Sequence, residues 1–263
     1  MRFKKITKSI ICSALSLIMF SAILFPLRTY ADAGGEIIVS AAGSLKDAFK
    51  EIGALFEKGH PGIKVLFNFG ASGVLRRQIE GGAPVDILAS ASVDEITTLD
   101  AEGLIIKGTR FDFAENSIVL IAPAGFGLVQ SFNDLKKTGV KRIAICNPET
   151  VPAGKYSKEA LMHMGQWDSL NQKFVFAENV RQALDYAVRN EVDAAMVFQT
   201  DALNRNNLRV IKAPPETYGK AIYSAAAIRN SGHQQAASEF LSFLKSPEAR
   251  TILKKYGFKM PGR

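Results

Sequence analysis

Two serines stand where short apolar runs give way to helical periodicity. Ser44 directly precedes a helix that the pattern begins at Leu45, and Ser72, inside Gly70-Ala71-Ser72-Gly73, precedes one near Val74. A hydroxyl there has two uses. It can cap the helix by accepting a bond from a first-turn amide, which stabilises by about 1 kcal/mol. It can instead join the unpaired amides and partial positive charge of a helix N-terminus in meeting an anion. Val151-Pro152-Ala153-Gly154 is a third such junction, with Pro152 suited to the first helical position and two residues without bulk beside it. Glu178-Asn179-Val180 is a fourth, where an acid or amide caps a helix whose first amides face out of the loop. All the donors offered are uncharged. That pattern suits a fully ionised oxyanion, which accepts hydrogen bonds and never donates one; spacing alone leaves capping and anion binding both open.

Patterns that ask for catalysis are missing. His60, His163 and His233 are widely separated, and neither H-x-x-x-H nor paired C-x-x-C spacing occurs. Gly70-Ala71-Ser72-Gly73 continues with Val74, so it is no G-x-S-x-G elbow, and neither a P-loop nor G-x-G-x-x-G is present. The chain reads as a binding protein without a cofactor and not as an enzyme. The rival from the enzyme class is a hydrolase with Ser44 or Ser72 as nucleophile.

Positioning these junctions requires strands that alternate with helices, and the periodicity switches repeatedly between the two, as in α/β proteins. Strands are expected at 36–40, 63–69, 86–90, 116–122, 142–146, 173–176, 193–197 and 208–211. Helices are expected at 45–58, 74–80, 93–102, 154–164, 179–189 and 234–245, with a last helical stretch from Pro247. In the first helix Leu45, Ala48, Phe49, Ile52, Leu55 and Phe56 form one apolar stripe. In open α/β sheets ligands bind beyond the carboxyl ends of the strands, where helices begin. Two of the four junctions lie in the N-terminal half and two well beyond it, so a site between two lobes draws on both sets.

The 263 residues are 47% apolar and 22% charged, ordinary for a globular chain and unlike a disordered one. The net charge of +8 invites a nucleic-acid reading, but residues 1–33 hold five bases against one acid, so the rest carries only +4. That balance, with no basic run, speaks against nucleic acid. Residues 1–33 read as a signal peptide: a basic start, an apolar run over 10–27, then Ala31-Asp32-Ala33 as a cleavage site. The mature chain then has one thiol, Cys146, and no internal disulfide.

With these segments placed, the chain resembles the periplasmic molybdate-binding proteins of ABC importers. The likeness runs from Ile37 to Phe258. It rests on VSAAGSLKDAF at 39–49, GASGVLRRQIEGGAPVDILASA at 70–91, NPETVPAGKYSKEAL at 147–161, ENVRQAL at 178–184 and KKYGF at 254–258. The resemblance implies an α/β, two-lobed periplasmic binding protein-like fold of type II with the ligand cleft at the hinge. Lobe one takes 36–116 and 226–263, and lobe two 117–225. It implies molybdate or tungstate held by hydroxyl and amide of Ser44 and Ser72 and by the backbone amides of Ala153 and Val180. Molybdenum is then bound through its oxygens, without a direct protein ligand. It further implies a periplasmic monomer that delivers to an ABC permease and its ATPase; sulfate or another tetrahedral oxyanion is the alternative ligand. One position departs from the family. Many members carry a tyrosine hydroxyl in V-Y-x-[ST]-D-A, and here Met196–Ala202 reads MVFQTDA, so Phe198 lines the cleft with that donor lost.

Overall fold

The computed structural model describes residues 35–262; the expected signal peptide at 1–33 lies outside them. The first lobe begins with β1 (Glu36–Ala42), which runs through a 3-10 turn at Gly43–Leu45 into α1 (Lys46–Gly59). β2 (Lys64–Gly70), α2 (Ser72–Glu80), β3 (Ile87–Ser90), α3 (Val93–Ala101) and β4 (Phe111–Asn116) follow. The chain then crosses into a second sheet. There it builds β5 (Ile118–Pro123), β6 (Ile143–Cys146), α4 (Pro152–His163), the short α5 (Trp167–Leu170), β7 (Phe174–Ala177), α6 (Val180–Val188), β8 (Ala194–Phe198) and β9 (Leu208–Lys212). It returns as β10 (Ala221–Ala227) and ends with α7 (Gln234–Leu244) and α8 (Pro247–Lys255).

Each sheet has five strands, in the orders β2-β1-β3-β10-β4 and β7-β6-β8-β5-β9. In both, three neighbouring strands are parallel (β2, β1 and β3; β7, β6 and β8). In both, the next strand is antiparallel and has just crossed from the other lobe, β10 in one sheet and β5 in the other. Parallel strands need crossover helices, and this puts α1 and α2, or α4 and α6, at the carboxyl ends of adjacent strands.

Packing follows the apolar periodicity. In α7 Ala236, Ala237, Phe240, Leu241 and Leu244 are buried, and α1 buries Ala48, Phe49, Ile52 and Phe56. Leu55 was expected in that stripe but sits at its edge and is exposed. Phe56 and Phe49 meet Phe240 of α7 with ring centroids 5.2 and 6.4 Å apart, tying the C-terminal helices to the first lobe.

Two strands depart from expectation. The strand expected at 116–122 is β5, which begins at Ile118 in the second sheet; β4, which ends at Asn116 in the first sheet, is not among the expected strands. β10 was not expected as a strand, and the return to lobe one was placed at residue 226. Its pairing begins at Ala221, opposite Asn116 of β4, so the whole of Ala221–Ala227 belongs to the first sheet. The cause is its composition: four alanines and a serine, all buried, lie on both faces and give no alternation.

Candidate functional site

The four junctions emerge where expected, yet the serines do not cap. Ser44 lies inside the 3-10 turn, and neither that turn nor α1 has a side-chain cap. Ser72 is the first residue of α2, after Ala71 at the cap position. Their hydroxyls are engaged elsewhere: Ser44 Oγ lies 2.7 Å from Tyr223 Oη, and Ser72 Oγ accepts from the Ala91 amide at 3.1 Å. At α6 the side chain of Asn179 does cap, accepting from the amides of Arg181 and Gln182 and leaving that of Val180 out. Pro152 occupies the first turn of α4. Among the described residues, no acceptor takes the amide hydrogens of Ser44, Ser72, Ala153 or Val180.

Ser44, Ser72, Val180 and Phe198 line one narrow cleft cavity together with Val151 and Pro152. Its remaining wall is Ala, Gly and Asn179, so among the described residues no charged side chain lines it. Ala153 is the exception among the expected residues: it follows Pro152, is fully buried and does not line the wall. The following Gly154 cannot be larger, since a Cβ there falls 2.3 Å from the Cys146 carbonyl oxygen. Phe198 is 1% exposed, its ring 5.7 Å from that of Tyr223 and 6.5 Å from that of Tyr156. A wider groove of about 520 Å³ opens beside the cavity and shares Gly70, Ala71 and Asn179 with it.

The two lobes touch around this cavity. The Gly73 amide donates to the Thr150 carbonyl at 3.0 Å, and Lys155 of α4 pairs with Asp94 of α3. Arg181, next to Val180, donates from Nε to the Gly43 carbonyl at 3.2 Å and pairs through Nη2 with Asp47 at 2.9 Å. Its Nε also lies 3.5 Å from Asp201, a buried carboxyl neither of whose oxygens accepts a hydrogen bond among the described residues. Burial pushes the Asp201 carboxyl up to about 7, against the pull of the Arg181 charge. Burial and then Asp201 also raise the buried Cys146 thiol, which keeps it protonated and unreactive.

Arg181, Asp201, Tyr223 and Asn116 have no role in the sequence reading. Arg181 and Asp201 fall inside the quoted ENVR and MVFQTDA stretches, which was a usable signal. Tyr223 lies in the strand that composition concealed.

Comparison with known proteins agrees with this architecture. Residues 37–259 match the family model described as bacterial extracellular solute-binding protein. The molybdate-binding protein ModA of Escherichia coli is 35% identical over 229 residues, covering 85% of this chain and 89% of that protein. The solved Azotobacter vinelandii periplasmic molybdate-binding protein superposes with a TM-score of 0.79 at 27% identity, over 86% of this chain and all of the other. The sulfate-binding protein SubI of Mycobacterium tuberculosis shares the fold, with a TM-score of 0.75 at 18% identity over 86% of each chain. A match across both lobes, joined to an uncharged cleft between them, establishes that the chain belongs to the bacterial extracellular solute-binding proteins.

Proposed function

We propose that the protein captures molybdate or tungstate in the periplasm and delivers it, as a monomer, to an ABC permease and its ATPase. One observation carries this reading: helix starts from both lobes meet at a cavity whose wall, among the described residues, has hydroxyls and free amides but no charged side chain. Ser44 and Ser72 supply hydroxyl and amide and Val180 an amide from the cavity wall, and the amide of Ala153, behind Pro152 of that wall, is the fourth donor of this reading. The bonds are charge-assisted and reinforced by helix-terminal dipoles, hence stronger than neutral pairs. The similarity to ModA proteins of that named ligand supports molybdate over sulfate. Ligand touches both lobes only when they close, so binding draws the hinge shut.

A thermal-unfolding screen with molybdate, tungstate, sulfate and phosphate tests this. Ligand at 100 times Kd adds about 2.7 kcal/mol, a shift of roughly 5–10 °C for a chain of this size. The expected result is a shift with molybdate and tungstate alone, abolished or much reduced by Ser44→Ala. A shift with sulfate alone replaces the ligand, and turnover of an ester or amide lost in Ser44→Ala replaces the class.

Phe198 gives a second expectation. A tyrosine there returns a donor to the cavity wall, and a bond to a charged acceptor contributes about 1.5–3 kcal/mol, roughly tenfold to a hundredfold in affinity. Phe198→Tyr therefore tightens molybdate binding in a calorimetric titration; equal or weaker affinity counts against the placement.

A further inference from the structure

The proposed site uses Ser44 as a donor, but a serine hydroxyl can equally accept. The chain of partners behind it decides which. Asn116 ends β4 at the crossing between lobes, and its Oδ1 accepts from the Ser117 amide at 2.9 Å. That bond turns its NH2 group toward Thr200 Oγ1, 2.9 Å away, and Tyr223 Oη, 3.1 Å away, which uses both hydrogens. Tyr223 Oη therefore accepts from Asn116, and its own proton needs another acceptor. Among the described residues the one within reach is Ser44 Oγ at 2.7 Å. The phenol is fully buried, and burial together with the nearby Asp201 holds it well above the ordinary tyrosine value, so it keeps that proton.

We infer that Tyr223, oriented by Asn116, is a positioning residue that fixes Ser44 as a donor into the cavity and so selects anions that carry no proton. With Tyr223 donating to its oxygen, Ser44 cannot send its proton back, and among the described residues no other acceptor faces it. The hydroxyl is left aimed at the ligand. Ser72 is arranged alike, its oxygen occupied by the Ala91 amide, so both hydroxyls at the cavity are set to donate. An anion with a proton of its own, such as hydrogen phosphate, meets there only hydroxyl oxygens that already accept one bond each and whose own protons face the ligand. This inference rests on the oxyanion reading and adds a determinant of selectivity to it.

Two variants test it, with molybdate titrated by calorimetry near pH 7.5 and phosphate measured by its competition with molybdate. Tyr223→Phe keeps the ring packed against Phe113, Phe198 and Phe258 and removes only the oxygen. Ser44 is then free to accept. Molybdate binding weakens about tenfold while phosphate is unchanged or tighter, so the ratio of the two dissociation constants narrows by tenfold or more. Asn116→Asp reverses the relay: the new carboxylate accepts a hydrogen bond from the phenol O–H, which keeps its proton, and Tyr223 Oη then accepts from Ser44. Molybdate binding falls further than in Tyr223→Phe although the phenol is retained. A merely structural role predicts equal weakening of both anions. An unmoved ratio in both variants, with the parent still binding molybdate, overturns the relay alone. A parent that binds none of molybdate, tungstate or sulfate overturns the oxyanion reading and the relay with it.

Discussion

Gly73→Ala lowers molybdate affinity by about fivefold to a hundredfold and leaves the unliganded protein as stable as its parent, or more so. Gly73 is the second residue of α2 in the first lobe, and it lies against the backbone of Thr150 in the second. A Cβ at this position falls 2.8 Å from the Thr150 carbonyl oxygen and 3.2 Å from its Cα. These are backbone atoms in a loop bounded by Pro148 and Pro152, so no rotamer change relieves the contact. Within its own lobe the new methyl meets no such obstacle, and alanine is the better helix former by about 1 kcal/mol.

The cost therefore falls on closure and not on folding. Overpacking of this kind costs typically about 1–3 kcal/mol. Spent on the open-to-closed equilibrium, it reduces the fraction of protein competent to bind and raises the apparent Kd in proportion. The expected outcome is a rise in Kd of about fivefold to a hundredfold by calorimetry, with an unshifted or raised Tm for the free protein. Small-angle scattering at saturating molybdate should give a larger radius for the variant. A variant that binds like its parent and closes fully shows that Thr150 yields, and then the Gly73–Thr150 contact does not govern closure.

The parts of this molecule legible in its sequence are those built from strong alternation. The apolar face of α7, the Pro-bounded start of α4 and the glycine-flanked turn before α2 each follow from local chemistry, and three of the four expected ligand positions reach one cavity. The misses have one physical origin: a partner distant in sequence. Ser44 looks like a cap because its neighbours begin a helix, but its hydroxyl is claimed by Tyr223, 179 residues away. Tyr223 in turn sits in a strand of small residues whose period cannot be read. Arg181 resembles an exposed helix residue until the turn after β8 brings Asp201 beside it and the meeting of the lobes brings the Gly43 carbonyl against it. Polar contacts between segments distant in the chain, within a lobe or across the two, leave no periodic trace, and they are what the site adds to the fold.

Asp201→Asn removes a pH dependence of stability that the parent shows between about pH 4 and 7. The Asp201 side chain is fully buried and is held up to about 7, first by burial, whereas in the unfolded chain the carboxyl titrates at 3.8. The charges that act on it are Arg181 and Arg205, which favour ionisation, and Asp47, which opposes it. Between those two pH values the folded protein holds a proton that the unfolded chain has released. The stability from this group is thus fully present below pH 3.8 and is lost as pH rises through 7. The window of about three units corresponds to up to about 4 kcal/mol. At 2–4 °C per kcal/mol for a chain of this size, the parent should lose several degrees of Tm from pH 5 to 8 relative to the variant. Asparagine mimics the protonated acid at every pH, so its difference from the parent should grow with pH and be largest at pH 8. Parallel melting curves across this range would place an ionised Asp201 in a full ion pair with Arg181. In that case Arg181→Met should be the more damaging change, because it strands a buried charge, a loss of about 3–5 kcal/mol. The two variants together decide whether the group beside the interlobe arginine is an acid or a carboxylate when the cleft is shut.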